Sequence, residues 1–181
     1  SVEESQLIKL SKQGDGDSFN QLVEKYQKLA YNLAYRFLGQ AQAAEDATQE
    51  AFISAWKGIG SFRGENFRAW LLQIVANTCR DSLRSKRRHP TTSLDAFPVD
   101  PSAPSVNHER SLELEEALKR GLAQLPEDQR LAIILSDVIG MSYEEIAQTM
   151  GCSLGTVRSR LSRGRESLRH WLVSRGELFN Q

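Results

Sequence analysis

The sequence predicts an all-α fold of two small helical domains joined by a flexible Pro/Ser-rich linker, with a helix-turn-helix in the second domain. Apolar residues recur at spacings of three and four, and no stretch alternates for long enough to form a strand. Four of the five prolines lie between positions 90 and 104. We therefore expect domains at 1–88 and 109–181 and a linker at 89–108. The alternative for 89–108 is a long internal loop of one domain, although such loops are uncommon.

Four helices are predicted in the first domain. A short helix at about 7–13 comes first. Ser18 is the predicted N-cap of a second helix and forms a capping box with Gln21; an apolar stripe follows it, and Gly39 ends the helix. Two further helices are expected at about 43–57 and 66–88. The last ends in a crowded basic run, which exceeds what a helix C-terminus needs.

The second domain is also predicted to contain four helices. The first covers about 109–123, and Pro126 suits the first turn of a second that runs to about position 137. Ser142 and Glu145 form a capping box that opens a short helix ended by Gly151. Ser153 can cap the last helix, at about 154–172. The short helix, the glycine turn and the long helix together match a helix-turn-helix.

Composition excludes several classes of protein. The 181 residues carry 23 basic and 23 acidic groups, and 40% are hydrophobic, which is typical of a globular chain. The longest apolar run is five residues against the roughly 20 of a membrane span. Two distant cysteines and three scattered histidines give neither a disulfide framework nor a zinc site. We expect a cytoplasmic protein without membrane insertion, and with no metal or cofactor.

The zero net charge hides alternating blocks. Residues 62–88 carry seven basic and two acidic groups, and residues 156–181 carry six and two. Residues 126–155 instead carry one basic and five acidic groups. Because binding depends on the local electrostatic field, the two basic blocks are candidate nucleic-acid surfaces.

Three motifs are candidate binding surfaces. The last long helix carries arginine, serine and threonine side chains that can reach base edges or phosphates, and its first amides (Gly155, Thr156, Val157) can face a phosphate. Around positions 61–88, aromatic residues interleave with arginines, which suits unstacked bases, although Phe67 and Trp70 also fit a core stripe. The third helix presents Glu45, Asp46, Gln49 and Glu50 before an aromatic pair. It is either a protein-docking face or an ordinary solvated surface.

Taken together, these motifs resemble those of the extracytoplasmic-function sigma factors of bacteria, and the resemblance covers about residues 7–172. The segments that carry the resemblance are Asp46-Ala-Thr-Gln-Glu-Ala-Phe52, Ser61-Phe-Arg-Gly64, Phe67-Arg-Ala-Trp-Leu71 with Asn77, Leu125-Pro-Glu127, Ser142-Tyr-Glu-Glu-Ile-Ala147 and Gly155-Thr-Val-Arg-Ser-Arg160. The resemblance implies a non-catalytic initiation subunit that binds RNA polymerase core enzyme and promoter DNA. It also implies that the first domain melts the −10 element and that the second reads the −35 element.

The resemblance assigns residues to each contact. The β′ clamp of the polymerase would be bound by Asp46, Gln49, Glu50, Phe52 and Trp56, and the β flap by residues 125–137. The −10 element would be contacted by Phe62, Arg63, Phe67, Trp70, Asn77, Arg80 and Arg84. The −35 element would be contacted by Thr156, Val157, Arg158, Ser159, Arg160, Ser162 and Arg163. Helical spacing makes Arg163, with Ser159, the expected base reader, and Arg160 and Arg165 phosphate or solvent contacts. We also expect an anti-sigma factor to hide these faces.

Other functions remain as alternatives. A stand-alone helix-turn-helix regulator would explain 126–172 but not 18–88. An enzyme with a DNA-binding tail would need catalytic residues, and the sequence contains no H-E-x-x-H, G-x-S-x-G or Walker motif. A helical adaptor with merely solvated basic faces would not need base-reading residue types.

Overall fold

The structure is a computed structural model that describes residues 2–89 and 106–176. The helices are α1 (Val2–Lys12), α2 (Gly16–Leu38), α3 (Ala41–Gly58), α4 (Phe67–Arg88), α5 (Val106–Ala123), α6 (Glu127–Ile133), α7 (Tyr143–Met150) and α8 (Leu154–Ser174). A 3₁₀ turn follows α3 (Ile59–Ser61), and a π-helical segment follows α6 (Ile134–Val138). No strand occurs in the described ranges, so the predicted all-α class is confirmed.

Most of the predicted helix ends are confirmed. Ser142 and Glu145 form the complete capping box at α7, and Gly151 ends that helix in the left-handed region at φ 62°. Ser153 accepts a hydrogen bond from the Thr156 amide at the start of α8. Gly39 ends α2 with φ 76°. Helix α5 begins at Val106, inside the range predicted as linker; positions 90–105 lie outside the described residues.

Three predicted helix starts are wrong. Helix α1 begins at Val2 and not at about position 7, and its first turn carries Glu3 and Glu4, which suit a helix N-terminus. Asp15, not Ser18, caps α2, because its carboxylate accepts from the Ser18 amide at 3.3 Å. Ser18 is therefore buried in the first turn. Pro126 precedes α6 as its N-cap instead of lying in its first turn. The helix expected to reach position 137 changes to π geometry at Ile134, where the Ile139 amide donates to the Ile134 carbonyl at 2.9 Å.

The N-terminal half (residues 2–89) packs α2, α3 and α4 around one apolar centre, with α1 against α2. In the C-terminal half (residues 106–176), α6 and α8 cross closely at Gly164. A Cβ atom at Gly164 would lie 2.8 Å from the Ile133 Cδ1 atom and 3.2 Å from the Gln129 Cβ atom, so a larger residue here would push neighbouring side chains of α6 aside. This crossing fixes the direction in which α8 presents its outer face.

The two halves also contact each other. Helix α2 touches α5 and the π-helical segment, and α4 touches α7. Buried apolar residues of both halves form one contiguous cluster. The half-buried Arg130 guanidinium links the halves, because it donates to the Phe37 carbonyl of α2 at 3.0 Å and to the Leu122 carbonyl of α5 at 2.9 Å. None of the described helices is long and apolar enough to cross a bilayer.

Candidate nucleic-acid and protein interfaces

The outer face of α8 presents polar side chains to solvent. Arg158, Ser162 and Arg163 are exposed, whereas Thr156, Ser159 and Arg160 are half-buried. The exposed residues and Ser159 lie at spacings of one, three and four, so they share one side of the helix. Their guanidinium and hydroxyl groups can donate to base edges or phosphates.

The start of α8 differs from expectation at Val157. Its side chain is fully buried, and its amide donates to the Ser153 carbonyl at 3.1 Å. The Thr156 amide is also engaged, because it donates to the Ser153 hydroxyl at 3.2 Å. Two of the three amides expected to face a phosphate are therefore bonded within the helix. Val157 positions α8 against the core, and it offers no side-chain atom to a ligand in this arrangement.

Arg165, further along α8, is held by the π-helical segment. Its guanidinium donates to both carboxylate oxygens of Asp137, at 2.6 and 3.0 Å, and to the Ser136 hydroxyl at 3.3 Å. Hydrogen bonds from Arg165 lower the pKa of the Asp137 carboxyl. This ion pair connects the middle of α8 to the π-helical segment that follows α6.

Arg160, on the inner side of α8, faces the first turn of α6. Its Nη2 atom lies 3.3 Å from Asp128, and the same carboxylate lies 3.1 Å from the Nη2 atom of Arg80 on α4. The Nη1 atom of Arg160 is buried and has no hydrogen-bond partner among the described residues. Two arginines expected to touch promoter DNA thus share one carboxylate.

A cavity of about 260 Å³ lies where the loop before α4 meets α7. Its lining comes from three places, the loop, the first turns of α4 and the end of α7. The lining residues are Phe62, Arg63, Gly64, Glu65, Asn66, Ala69, Trp70, Gln73, Gln148 and Thr149. Polar atoms around an open cavity of this kind can hydrogen-bond a planar polar ligand such as a base.

The aromatic residues of this region pack mainly on one another. Phe62 and Phe67 are only 5% and 2% exposed, and their ring centroids lie 5.7 Å apart in an edge-to-face arrangement. Trp70 contacts both rings at 5.2 and 5.5 Å and is half-buried. Stacking of a base on Phe62 or Phe67 therefore requires these rings to move, while Trp70 already borders the cavity.

Polar residues of α4 extend from the cavity along one face. Gln73 borders the cavity, and Asn77 is exposed one turn later. Arg63 and Arg84 are also exposed, the latter 3.6 Å from Asp81. Sequence reasoning missed Asn66, Gln73, Gln148 and Thr149. The spacing of Gln73 between Trp70 and Asn77 was a signal for that residue, but nothing local indicated the two residues of α7.

The outer face of α3 combines acidic and apolar groups. Asp46, Gln49 and Glu50 are exposed, and Trp56 is 37% exposed. Phe52 is only 9% exposed and faces the core. Ile53, which sequence reasoning missed, is 56% exposed and lies on the face of Asp46, Gln49 and Glu50 at helical spacing. Ile53 and Trp56 together offer an apolar area beside carboxylates, which a protein partner can cover.

Comparisons with known proteins identify both halves. The family model for Sigma-70 region 2 matches residues 22–89, and that for Sigma-70, region 4 matches residues 115–168. The RNA polymerase sigma-H factor of Pseudomonas aeruginosa is 40% identical over 92% of each chain. The ECF RNA polymerase sigma-E factor of Escherichia coli K12 is 38% identical over 90% of each chain.

Solved structures agree with this comparison. CnrH, in a complex with the cytosolic domain of CnrY, matches with a TM-score of 0.71 and 27% identity, covering 95% of this chain and 98% of CnrH. RpoE of Bartonella quintana, in a complex with the anti-sigma factor NepR, matches with a TM-score of 0.69 and 30% identity over 85% of this chain and 96% of RpoE. The chain therefore belongs to the extracytoplasmic-function sigma factors of bacterial RNA polymerase.

Proposed function

We propose that this chain binds RNA polymerase core enzyme in the cytoplasm, directs it to promoters and helps to melt their −10 element, without catalysing a reaction itself. The observation that carries the proposal is the outward polar face of α8, held by a capped helix-turn-helix in a chain that matches both Sigma-70 regions. Each binding surface then has a separate partner.

The −35 element is the proposed ligand of α8. Arg163 and Ser159 read base edges in the major groove, and Arg158 and Thr156 contact phosphates near the start of the helix. Arg160 reaches a phosphate only after it leaves Asp128. The exposed side chains of Arg158, Ser162 and Arg163 support this arrangement.

The −10 element is the proposed ligand of the cavity and of the exposed side of α4. An unstacked base enters between the loop and Trp70, and Asn77 and Gln73 offer hydrogen bonds to it or to its neighbour. The arginines of α4 follow the backbone of the same strand. The cavity lined by Trp70 and Gln73 supports this role.

Core polymerase is the proposed partner of α3. Asp46, Gln49 and Glu50 meet basic groups of the β′ clamp, while Ile53 and Trp56 supply the apolar part of the contact. Residues 125–137 contact the β flap. The exposure of Ile53 supports the first contact, because a large apolar side chain at 56% exposure gains by being covered.

An anti-sigma factor is a further proposed partner. The similar chains CnrH and RpoE were solved in complexes with CnrY and NepR. Copurification from native cells under non-inducing conditions should recover a third protein besides polymerase. Repeated recovery of only the free chain and its polymerase complex would contradict this part of the proposal.

Transcription in vitro with bacterial core polymerase tests the main proposal. The wild-type chain should direct initiation from specific promoters, and Asp46→Lys with Glu50→Lys should weaken core binding without unfolding the chain, since surface reversals change stability by under about 0.5 kcal/mol. The matched control is Glu24→Lys with Glu113→Lys, the same charge change at exposed positions elsewhere. Equal core affinity in both double mutants would remove α3 from the interface. Duplex footprints without polymerase would favour the stand-alone regulator.

A further inference from the structure

The acidic first turn of α6 lies between the two proposed DNA surfaces. Asp128 contacts Arg80 of α4 at 3.1 Å and Arg160 of α8 at 3.3 Å, and Glu127 pairs with Arg87 at the end of α4. Three arginines, two of them expected to meet promoter phosphates, are therefore paired with two neighbouring carboxylates of this chain.

We propose that Glu127 and Asp128 form an internal clamp that competes with DNA phosphates for these arginines and holds the free protein closed. The inference rests on the proposed function of α4 and α8. A carboxylate and a phosphate bind the same guanidinium atoms, so Arg80 and Arg160 cannot serve both at once. DNA binding by these residues must therefore displace Asp128.

The surrounding contacts make the clamp an interaction between the halves. The Arg68 guanidinium of α4 donates to the Ile139 carbonyl at 2.6 Å, and the Asn66 amide donates to Glu145 of α7 at 2.5 Å. The cavity proposed for the −10 base also has Gln148 and Thr149 of α7 in its wall. The closed arrangement thus reaches from the basic end of α4 to its first turn.

Charge patterning along the chain agrees with this arrangement. Residues 62–88 carry seven basic and two acidic groups, and residues 126–155 carry one and five. These two segments attract each other in the closed protein, and DNA offers the first segment a stronger partner. The buried Nη1 atom of Arg160, which lacks a hydrogen-bond partner among the described residues, gains one when a phosphate replaces Asp128.

The test compares two asparagine variants of the free, full-length chain. Asp128→Asn removes the negative charge that Arg80 and Arg160 share, each through its own oxygen of the carboxylate. The control Asp81→Asn removes the same charge beside the same basic block, but from a pair within α4. The probes are a short fluorescent single strand and a duplex of mixed sequence at low salt. We expect Asp128→Asn to bind both about three- to tenfold more tightly, as for the loss of two exposed ion pairs, and Asp81→Asn to differ from wild type by less than about twofold. Equal affinities in the two variants would overturn the clamp.

A second variant keeps the test independent of helix stability. This variant carries Arg87→Cys and Glu127→Cys, and Cys152→Ser removes the partly exposed native thiol. A short, reducible bis-thiosulfonate then cross-links the two new cysteines. The remaining cysteine, Cys79, is buried and therefore does not react. The bridged chain should lose single-strand binding and regain it on reduction, and its radius of gyration in solution scattering should rise on reduction. Bridged and reduced chains that bind alike would contradict the proposal. Assembly of the wild-type chain with core polymerase, measured in parallel, separates this outcome from failure of the proposed function.

Discussion

The two proposed DNA surfaces differ in how far they are already formed. The outer face of α8 is open, and its exposed arginines lie on a helix whose start is capped and whose middle is tied by Arg165 to Asp137. The surface around α4 is partly covered, because its phenylalanines are buried, Arg80 is paired and α7 forms one wall of its cavity. Arg158, Ser162 and Arg163 can meet duplex DNA without a rearrangement, although Arg160 must first leave Asp128. Stacking of an unstacked base on Phe62 or Phe67 requires these buried rings to move.

This difference matches the two states of promoter DNA. The −35 element stays double-stranded, so a rigid helix suffices to read it. A −10 base becomes available only when the duplex opens, and aromatic rings that were fully exposed at all times would stack on single strands elsewhere. Four sets of substitutions probe this contrast, and they are given from the largest expected effect to the smallest.

Phe62→Ala should lower the free energy of unfolding more than the other three sets of substitutions. The ring is 5% exposed and packs against Phe67 and Trp70, so its removal should cost about 3–5 kcal/mol in the free energy of unfolding. Urea unfolding of the free chain measures this value. Leu112→Ala, at a 40% exposed position, is the control and should cost far less. An undiminished stability in Phe62→Ala would mean that the ring is free to stack on a base.

Arg163→Ala should relax sequence preference at one or two base pairs of the −35 element. A good bidentate contact discriminates by about 1–3 kcal/mol. Arg160→Ala should instead weaken binding to all sequences alike, since it loses a phosphate contact. It should also reduce the slope of log affinity against log salt concentration by about one. Holoenzyme binding to a library of −35 sequences at several salt concentrations separates the two. If Arg163→Ala weakened binding to all sequences alike, Arg163 would be a phosphate contact and not the residue that reads a base.

Local chemistry explains why much of this architecture could be predicted. The capping box of Ser142 with Glu145 and the left-handed glycines at 39 and 151 depend on neighbours within four residues, so sequence spacing reveals them. The start of α2 was missed because two capping residues, Asp15 and Ser18, compete three positions apart, and the carboxylate accepts the amide hydrogen bond. The change to π geometry at Ile134 had no sequence signal.

Long-range packing explains what could not be predicted. Burial separates Phe52 from Ile53 on α3, although the residues are adjacent and both apolar, and only the position of α2 and α4 decides which one faces solvent. The contact of Asp128 with Arg80 and Arg160 joins positions 48 and 32 residues away. The individual residue assignments and the domain boundaries stay predictions until they are measured.

Asn77→Ala should slow promoter opening while leaving the fold intact. The side chain is exposed on α4 beyond the cavity, so it contributes little to stability, and a lost hydrogen bond to an unstacked base should cost about 1 kcal/mol, or roughly fivefold in open-complex formation. Comparison of duplex and pre-melted templates, with and without the preferred −10 base, measures the effect. The control is Asn32→Ala, whose partner Arg36 lies on α2. A defect that is independent of the −10 base would exclude base capture by Asn77.

The smallest effect should come from the pair that fixes α8 within its own half. Asp137→Asn removes the partner of Arg165, and because both side chains are more than 40% exposed, the cost at neutral pH should be at most about 1 kcal/mol. Arg165 lowers the pKa of the Asp137 carboxyl, so its contribution is present above the unfolded-state pKa and is lost as pH falls through the folded pKa. The stability difference between wild type and Asp137→Asn should therefore be constant from about pH 7 to pH 5 and should shrink below about pH 4. Urea unfolding across this range tests it, with Asp81→Asn as the control for an exposed pair that joins neighbouring turns of one helix. If the stability difference persisted undiminished at the lowest pH, Asp137 would act through packing, and α8 would be held in place without this ion pair.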